Sequence, residues 1–214
     1  LDPSISSIFS HTHPIEFNGI QGRWMDMPPL EEWIGRVEPM LSELERKQLG
    51  ERVALKRKTE FLYIRFLKNF DFQGMDIHYA PSGKPFFIPS DWTIGISHSK
   101  DKALWCYATK PFGCDIECYD DRILKVGTRF SEPEELKALW AATPLEKLTC
   151  LWSCKEAIYK LGDFQGIDWK KDMRCVGQTE YGIDFMVTYR ESVQAVRCNV
   201  FPFTSHLIAI ATYV

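Results

Sequence analysis

Ile96-Ser97-His98-Ser99, then Gly113-Cys114-Asp115-Ile116-Glu117, then Trp152-Ser153-Cys154-Lys155-Glu156-Ala157-Ile158-Tyr159-Lys160: the reading of this chain turns on these three motifs, all within residues 94–160. The first ends an extended run, Thr93 to Ser97, and sets a histidine between two serines just past it. The second puts Asp115 and Glu117 two residues apart, so on a strand they share one face while Cys114, Ile116 and Cys118 take the other and enter the core. The third has apolar residues at helical spacing, with Glu156 and Lys160 one turn apart. Together they read as a strand with an anion-binding end, a strand bearing two carboxylates, and a helix bearing a third carboxylate and a lysine. That is the inventory of a divalent-metal and phosphate site.

Around these motifs the chain alternates strand and helix. Thr93 to Ser97, Ala103 to Thr109 and Phe112 to Glu117 read as successive strands of a compact antiparallel meander, the first two joined by residues 98–102. Upstream, Ile15 to Met25 reads as one strand, preceded by a His11/His13 pair in a solvated loop. Pro28 and Pro29 open a helix carrying Leu30, Trp33, Ile34 and Val37. Ser42-x-x-Glu45 is a capping box, and the apolar spacing from Leu44 to Phe70 predicts one long helix after it. That helix is rich in base, with Arg46, Lys47, Arg52, Lys56, Arg57, Lys58 and Arg65. Most are a solvated face, and one or two are candidates to reach a phosphate. Ile77 to Tyr79 and Phe86 to Ile88 flank a turn at Pro81-Ser82-Gly83-Lys84-Pro85.

Downstream, Ser131-x-x-Glu134 is a second capping box, and Thr143-Pro144-x-Glu146 opens the motif-bearing helix, which Gly162 ends. Arg174 to Gln178, Asp184 to Tyr189, Gln194 to Phe201 and Leu207 to Val214 read as strands. Leu207-Ile208-Ala209-Ile210-Ala211-Thr212-Tyr213 echoes Ala103-Leu104-Trp105-Cys106-Tyr107-Ala108-Thr109. The expectation is an α+β fold of two pseudo-symmetric halves, residues 1–109 and 110–214, with the site between them.

The bulk composition narrows the field. With 214 residues, 45% hydrophobic and 26% charged, the chain can bury a substantial core. A net charge of −3 gives no global footprint for nucleic acid, and no apolar run reaches a membrane span, so neither partner is expected. The visible start shows no apolar leader pattern, and a cytoplasmic location is expected. Seven cysteines in a reducing compartment read as buried thiols. The Cys114/Cys118 and Cys150/Cys154 spacings invite zinc, but on a strand the first pair would lie about 13 Å apart. A shared zinc needs each sulfur at about 2.3 Å.

Taken singly, each motif has an ordinary alternative: a salt-bridged strand face for Asp115 and Glu117, a surface ion pair for Glu156 and Lys160, a turn histidine for His98. Against these stands their company. Glu156 lies at the edge of an apolar face beside Trp152 and Tyr159, where a carboxylate needs a partner. A hard cation such as Mg²⁺ takes oxygen ligands and would serve.

The order of motifs carries a resemblance. Gly83-Lys84-Pro85, Ile96-Ser97-His98-Ser99, Gly113-Cys114-Asp115-Ile116-Glu117, Arg129-Phe130-Ser131-x-x-Glu134 and Trp152-x-x-Lys155-Glu156-Ala157-x-x-Lys160 resemble the motif series of the Sfp-type 4′-phosphopantetheinyl transferases. Lys58-Thr59-Glu60-Phe61-Leu62-x-x-Arg65 is similar to that family's arginine-bearing segment. The series departs from the family at Cys114, where an aliphatic residue is usual, and at Lys100, where glycine is frequent.

The resemblance implies two pseudo-symmetric α+β halves with coenzyme A in the cleft between them and Mg²⁺ on its pyrophosphate. It implies transfer of the phosphopantetheine arm to a serine of an acyl or peptidyl carrier protein, with release of adenosine 3′,5′-bisphosphate. Carried over by position, Asp115, Glu117 and Glu156 would be the metal carboxylates, and Glu156 the general base. Lys160 would contact the pyrophosphate or its leaving charge. Lys84, Ser97 and His98, with Pro85 stiffening the turn, would hold coenzyme A phosphates, His98 the 3′-phosphate; Arg46 and Arg57 are further candidates for it. Arg122-Ile123-Leu124-Lys125-Val126 would receive the carrier, and the chain would act as a monomer. Two alternatives stay open: another Mg²⁺-dependent phosphotransfer or phosphodiester enzyme with the same carboxylates, and a catalytically silent protein that binds coenzyme A or a carrier.

Overall fold

The computed structural model describes residues 11–89 and 91–214. The first residues, on which the leader reading rests, lie outside them. The chain mixes helix and sheet and divides into two compact units, Leu1–Lys110 and Pro111–Val214. Among the described residues no helix is long and apolar enough to cross a membrane.

The first unit carries a four-stranded antiparallel sheet. It opens with β1 (Thr12–Phe17) and β2 (Ile20–Asp26), not the single strand expected over residues 15–25. Asn18 and Gly19 split it, taking positive φ of 50° and 78°. Both central residues of the commonest tight hairpin turn need that geometry, and Asn-Gly adopts it readily. His13 lies in β1 and stacks on Trp24 at 3.9 Å, so it is no loop residue.

Helix α1 (Leu30–Val37) follows, then α2 (Glu43–Gly50) and α3 (Leu55–Asp71). The box at Ser42 forms, with Glu45 N–H donating to Ser42 Oγ at 3.1 Å. The long helix expected beyond it is broken after Gly50, a residue costly in a helix interior. The connector carries Arg52 and an exposed Val53. Helix α3 packs on the sheet through Phe61, Leu62, Phe66 and Leu67, which join Met25, Trp33 and Trp105 in the core. A short ribbon of β3 (His78–Tyr79) and β4 (Pro85–Phe86) comes next, its turn closed with Gly83 at φ +89°.

Strands β5 (Thr93–Ser99) and β6 (Lys102–Ala108) form a hairpin, and the sheet order is β1-β2-β6-β5. The linker expected over residues 98–102 shrinks to Lys100 and Asp101, with Lys100 at φ +50°. His98 is therefore inside a strand and does not follow its end.

The expected meander stops there. β7 (Gly113–Cys118) belongs to the second unit and pairs antiparallel with β11 (His206–Tyr213), Asp115 opposite Ala209. The physical reason is Pro111: tight hairpin turns need positive φ at a central residue, and proline's φ is locked negative. Between them lie α4 (Arg122–Val126), α5 (Pro133–Lys137), α6 (Pro144–Gly162), β8 (Met173–Thr179), β9 (Gly182–Tyr189) and β10 (Ser192–Phe203). The sheet order is β7-β11-β10-β9-β8, antiparallel throughout. β6 and β11, the two segments of the sequence echo, are each an inner strand of their sheet.

The box at α5 is one residue later than expected: Glu132 N–H donates to the Glu135 carboxylate at 2.9 Å, while Ser131 Oγ donates to Gly127 O. The box at Thr143 and Glu146 forms as read. At the other end of α6 the left-handed residue is Asp163, with φ +50°, and Gly162 is the last helical one. Helix α6 lies along β7 and β11, burying Leu151, Cys154, Ala157, Ile158 and Leu161 against Met173, Phe185, Val187, Ala209 and Ala211. Cys114, Ile116 and Cys118 are buried on the other face of β7. Cys150 and Cys154 are buried too; a hydrogen bond with Cys154, then burial, holds the Cys150 thiol well above its usual pKa, and burial does the same for Cys154.

Candidate active site

Gly113 makes the carboxylate cluster possible. A Cβ at this position would lie 1.9 Å from Ala157 O and 2.6 Å from Leu161 N. The bare backbone lets β7 press onto α6 at the turn that carries Glu156 and Lys160. Asp115 then meets the helix directly: Lys160 Nζ donates to its Oδ1 at 2.7 Å and Ser153 Oγ to its Oδ2 at 2.8 Å. Ser153, Glu156 and Lys160 fall at i, i+3 and i+7, one face of α6. Asp115 is 4% exposed, and two directed donors are what a buried carboxylate requires. Glu117, half-buried, accepts the N–H of Cys118 at 2.9 Å.

Burial pushes the Glu156 carboxyl up to about 7; Lys160 works against this shift, and Asp115 and Glu117 add to it. Burial disfavours the charge on Lys160, but Asp115 and Glu156 more than offset it and raise its pKa above the usual lysine value. Residues from two motifs some forty positions apart thus share one electrostatic environment. Among the described residues no three His, Cys, Asp or Glu side chains stand in an arrangement that could hold a metal ion as they are. Asp115 turns both oxygens to Ser153 and Lys160. The donor chemistry nonetheless suits a hard cation: the candidates are all carboxylates, and the repulsion among them is written into Glu156.

Three neighbours in the same helix motif are structural. Lys155 is fully buried and donates to Phe130 O at 2.7 Å, Trp169 O at 2.9 Å and Glu135, whose Oε1 is 3.0 Å away. Burial lowers its pKa against the pull of Glu135. Glu135 also accepts the Cys175 N–H, so this ion pair ties α5, α6 and β8 together. Trp152 stacks on Trp169 at 5.0 Å and Tyr159 on the same ring at 5.7 Å. Sequence reasoning assigned nothing to Ser153, Glu135 or Trp169. The serine inside Trp-Ser-x-Lys-Glu was the available signal for the first; nothing local marked Trp169.

The first unit holds a separate cavity of about 140 Å³, lined among others by Arg52, Arg57, Glu60, Phe61, Tyr79 and His98. Arg65 forms its floor. It is 1% exposed and donates to Tyr79 Oη at 2.9 Å and Gln48 Oε1 at 3.0 Å, with Glu45 3.4 Å from its Nε. Its guanidinium lies 3.9 Å from the centre of the Phe61 ring, and that of Arg52 lies 4.1 Å from it. Burial lowers the Arg52 pKa; Tyr79 opposes this and Arg65 adds to it. Such crowded cations are a place for an anion.

Of the residues expected to hold phosphates, His98 and Arg57 line this cavity. Ser97 is buried and, one residue along β5, points to the opposite side of the sheet. Arg46 is exposed on α2 and is absent from the cavity wall. Lys84 and Pro85 stand on the β3–β4 turn, with Pro85 paired across from Tyr79 of the wall. Arg52 and Arg65 were read from sequence only among the helix's basic residues, Arg65 also in the arginine-bearing segment, and Tyr79 was not singled out; the broken helix is what brings Arg52 to Phe61. No protein-family model matches this chain, and no curated protein was found that matches it.

Proposed function

We propose that this chain transfers the 4′-phosphopantetheine arm of coenzyme A to a serine hydroxyl of an acyl or peptidyl carrier protein, releasing adenosine 3′,5′-bisphosphate. The observation that carries the reading is the convergence of Asp115, Glu156 and Lys160, with Glu117 beside them, from two motifs of the series on one strand and one helix. In this reading the halves are the family's related α+β halves. Asp115, Glu117 and Glu156 would hold a Mg²⁺ ion, whose contribution is to neutralise the pyrophosphate and the developing charge. Glu156 would take the proton from the serine hydroxyl. Lys160 supplies positive charge to the leaving phosphate, and Ser153 keeps Asp115 oriented. The His98 cavity takes the 3′-phosphate.

Helix α4 is the carrier's docking point in this reading. Leu124 is 46% exposed between exposed Arg122 and Lys125, while Ile123 packs against the core. That mix fits an acidic helix with an apolar centre.

Intact-mass spectrometry tests the reading. An apo carrier incubated with the protein, coenzyme A and Mg²⁺ should gain one phosphopantetheine arm. The gain should vanish with chelator and with Glu156→Ala. No gain across fatty-acid, polyketide and peptide-synthetase carriers, with coenzyme A still bound, would favour a silent binding protein.

A further inference from the structure

A buried carboxylate stands among the cations of the first unit's cavity. Glu60 is 4% exposed, yet it accepts from Arg57 Nη1 at 3.1 Å and lies 3.3 Å from His98 Nδ1 and 3.8 Å from Lys56 Nζ. An anion-binding cavity does not need a resident negative charge for affinity; on simple Coulomb grounds Glu60 repels a phosphate. Its placement calls for a different account.

The geometry at His98 supplies one. A ring with a carboxylate at Nδ1 donates there, whether neutral or charged. Only the imidazolium also offers positive charge to the cavity, and a charge-assisted bond to the carboxylate favours that form. Among the described residues, Lys56, Arg57 and Arg65 of α3, Arg52 of the connector before it and Tyr79 of β3 stand around Glu60 and the cavity that His98 lines. Four of these five are cations and oppose another charge on His98. Glu60 is the counter-charge that makes one more tolerable.

We propose that Glu60 is the positioning residue of this cavity: it keeps His98 in its charged, donating form and Arg57 on the same wall, so that the cavity selects a phosphate monoester over a bare hydroxyl at that place on the ligand. The inference rests on the reading that this cavity takes the 3′-phosphate of coenzyme A.

The test is calorimetric binding of coenzyme A and of 3′-dephospho-coenzyme A to the full chain and to Glu60→Gln, between about pH 6 and pH 8. The wild type should prefer coenzyme A throughout. Glu60→Gln should match it near pH 6 and lose about tenfold of that preference by pH 8, as an unaided imidazole gives up its proton near 6.5. The phosphate's own titration is common to both proteins and cancels in the comparison. A merely structural role for Glu60 would weaken both ligands alike at every pH. If the wild type discriminates and Glu60→Gln discriminates equally at every pH, the role of Glu60 is overturned while the phosphate reading stands. If the wild type binds both ligands equally, or neither, both fall. Should Glu60→Gln fail to fold, the His98 ring resonances of the wild type decide: a charged ring through neutral pH supports the proposal, a neutral one overturns it.

Discussion

The two units treat buried charge in opposite ways. In the first, a buried carboxylate answers more than one cation: Glu60 faces Lys56 and Arg57, with His98 beside it, and Glu45 faces Arg65 and Lys68. In the second, Lys160 donates to Asp115, and the Glu156 and Glu117 carboxylates share the same surroundings. The first arrangement leaves positive charge over, which suits an anion. The second gathers carboxylates, and burial, with Asp115 and Glu117 adding to it, pushes the Glu156 carboxyl up to about 7. The lesson is that the sign of the charge gathered tells more about what each place can receive than the identity of any one residue.

The largest effect should come from the pair that has no surplus. Lys155→Met leaves Glu135 buried without its cation and should cost about 3–5 kcal/mol in urea denaturation. A loss under about 1 kcal/mol would show that Lys155 belongs with the chemistry of its neighbour Glu156. Next comes Glu156→Gln. The wild-type carboxyl sits near 7 in the folded state against the 4.5 of an ordinary glutamate, so the native state binds the extra proton between those limits. Wild-type stability should therefore fall as pH rises from about 4.5 to about 7, by about 1–3 kcal/mol, and stay level above that. The variant should lack this slope and be the more stable protein at pH 8, while transfer falls about 10²–10⁴-fold. A variant with the wild-type slope would place the titration elsewhere. Smallest is Arg57→Ala in the first unit. Its side chain is 66% exposed and Glu60 keeps Lys56 and His98 beside it, so melting should report a change within about 1 kcal/mol. A much larger loss would mean that the first unit is as tightly balanced as Lys155 and Glu135.

Much of this was legible in the chain. The Thr143–Glu146 box, the four closing strands and the two carboxylates on one face of β7 follow from local spacing, because capping and alternation are local physics. The failures share a cause. Asn18-Gly19, Gly50 and Lys100-Asp101 are one- or two-residue decisions inside longer periodic runs, and periodicity averages over them. The partner of β7 lies some ninety residues away at β11, beyond any local signal. At the site, Asp115, Glu156 and Lys160 were readable from their motifs. Arg52 and Tyr79 were not, since only a helix break and a two-stranded ribbon bring them to one cavity.

The Glu135 carboxylate has one further effect, far from any chemistry. β8 is the outer strand of its sheet, and such a strand offers its unpaired N–H groups as a template for a second chain. Glu135 occupies one of those donors, at Cys175, and the register slips between Cys175 and Gly177 immediately beyond it. An incoming strand would meet a donor already taken and a ladder out of step, beside an exposed Val176 that would otherwise invite it. The same ion pair that braces the fold from within also blunts the edge at which copies of the protein would begin to aggregate.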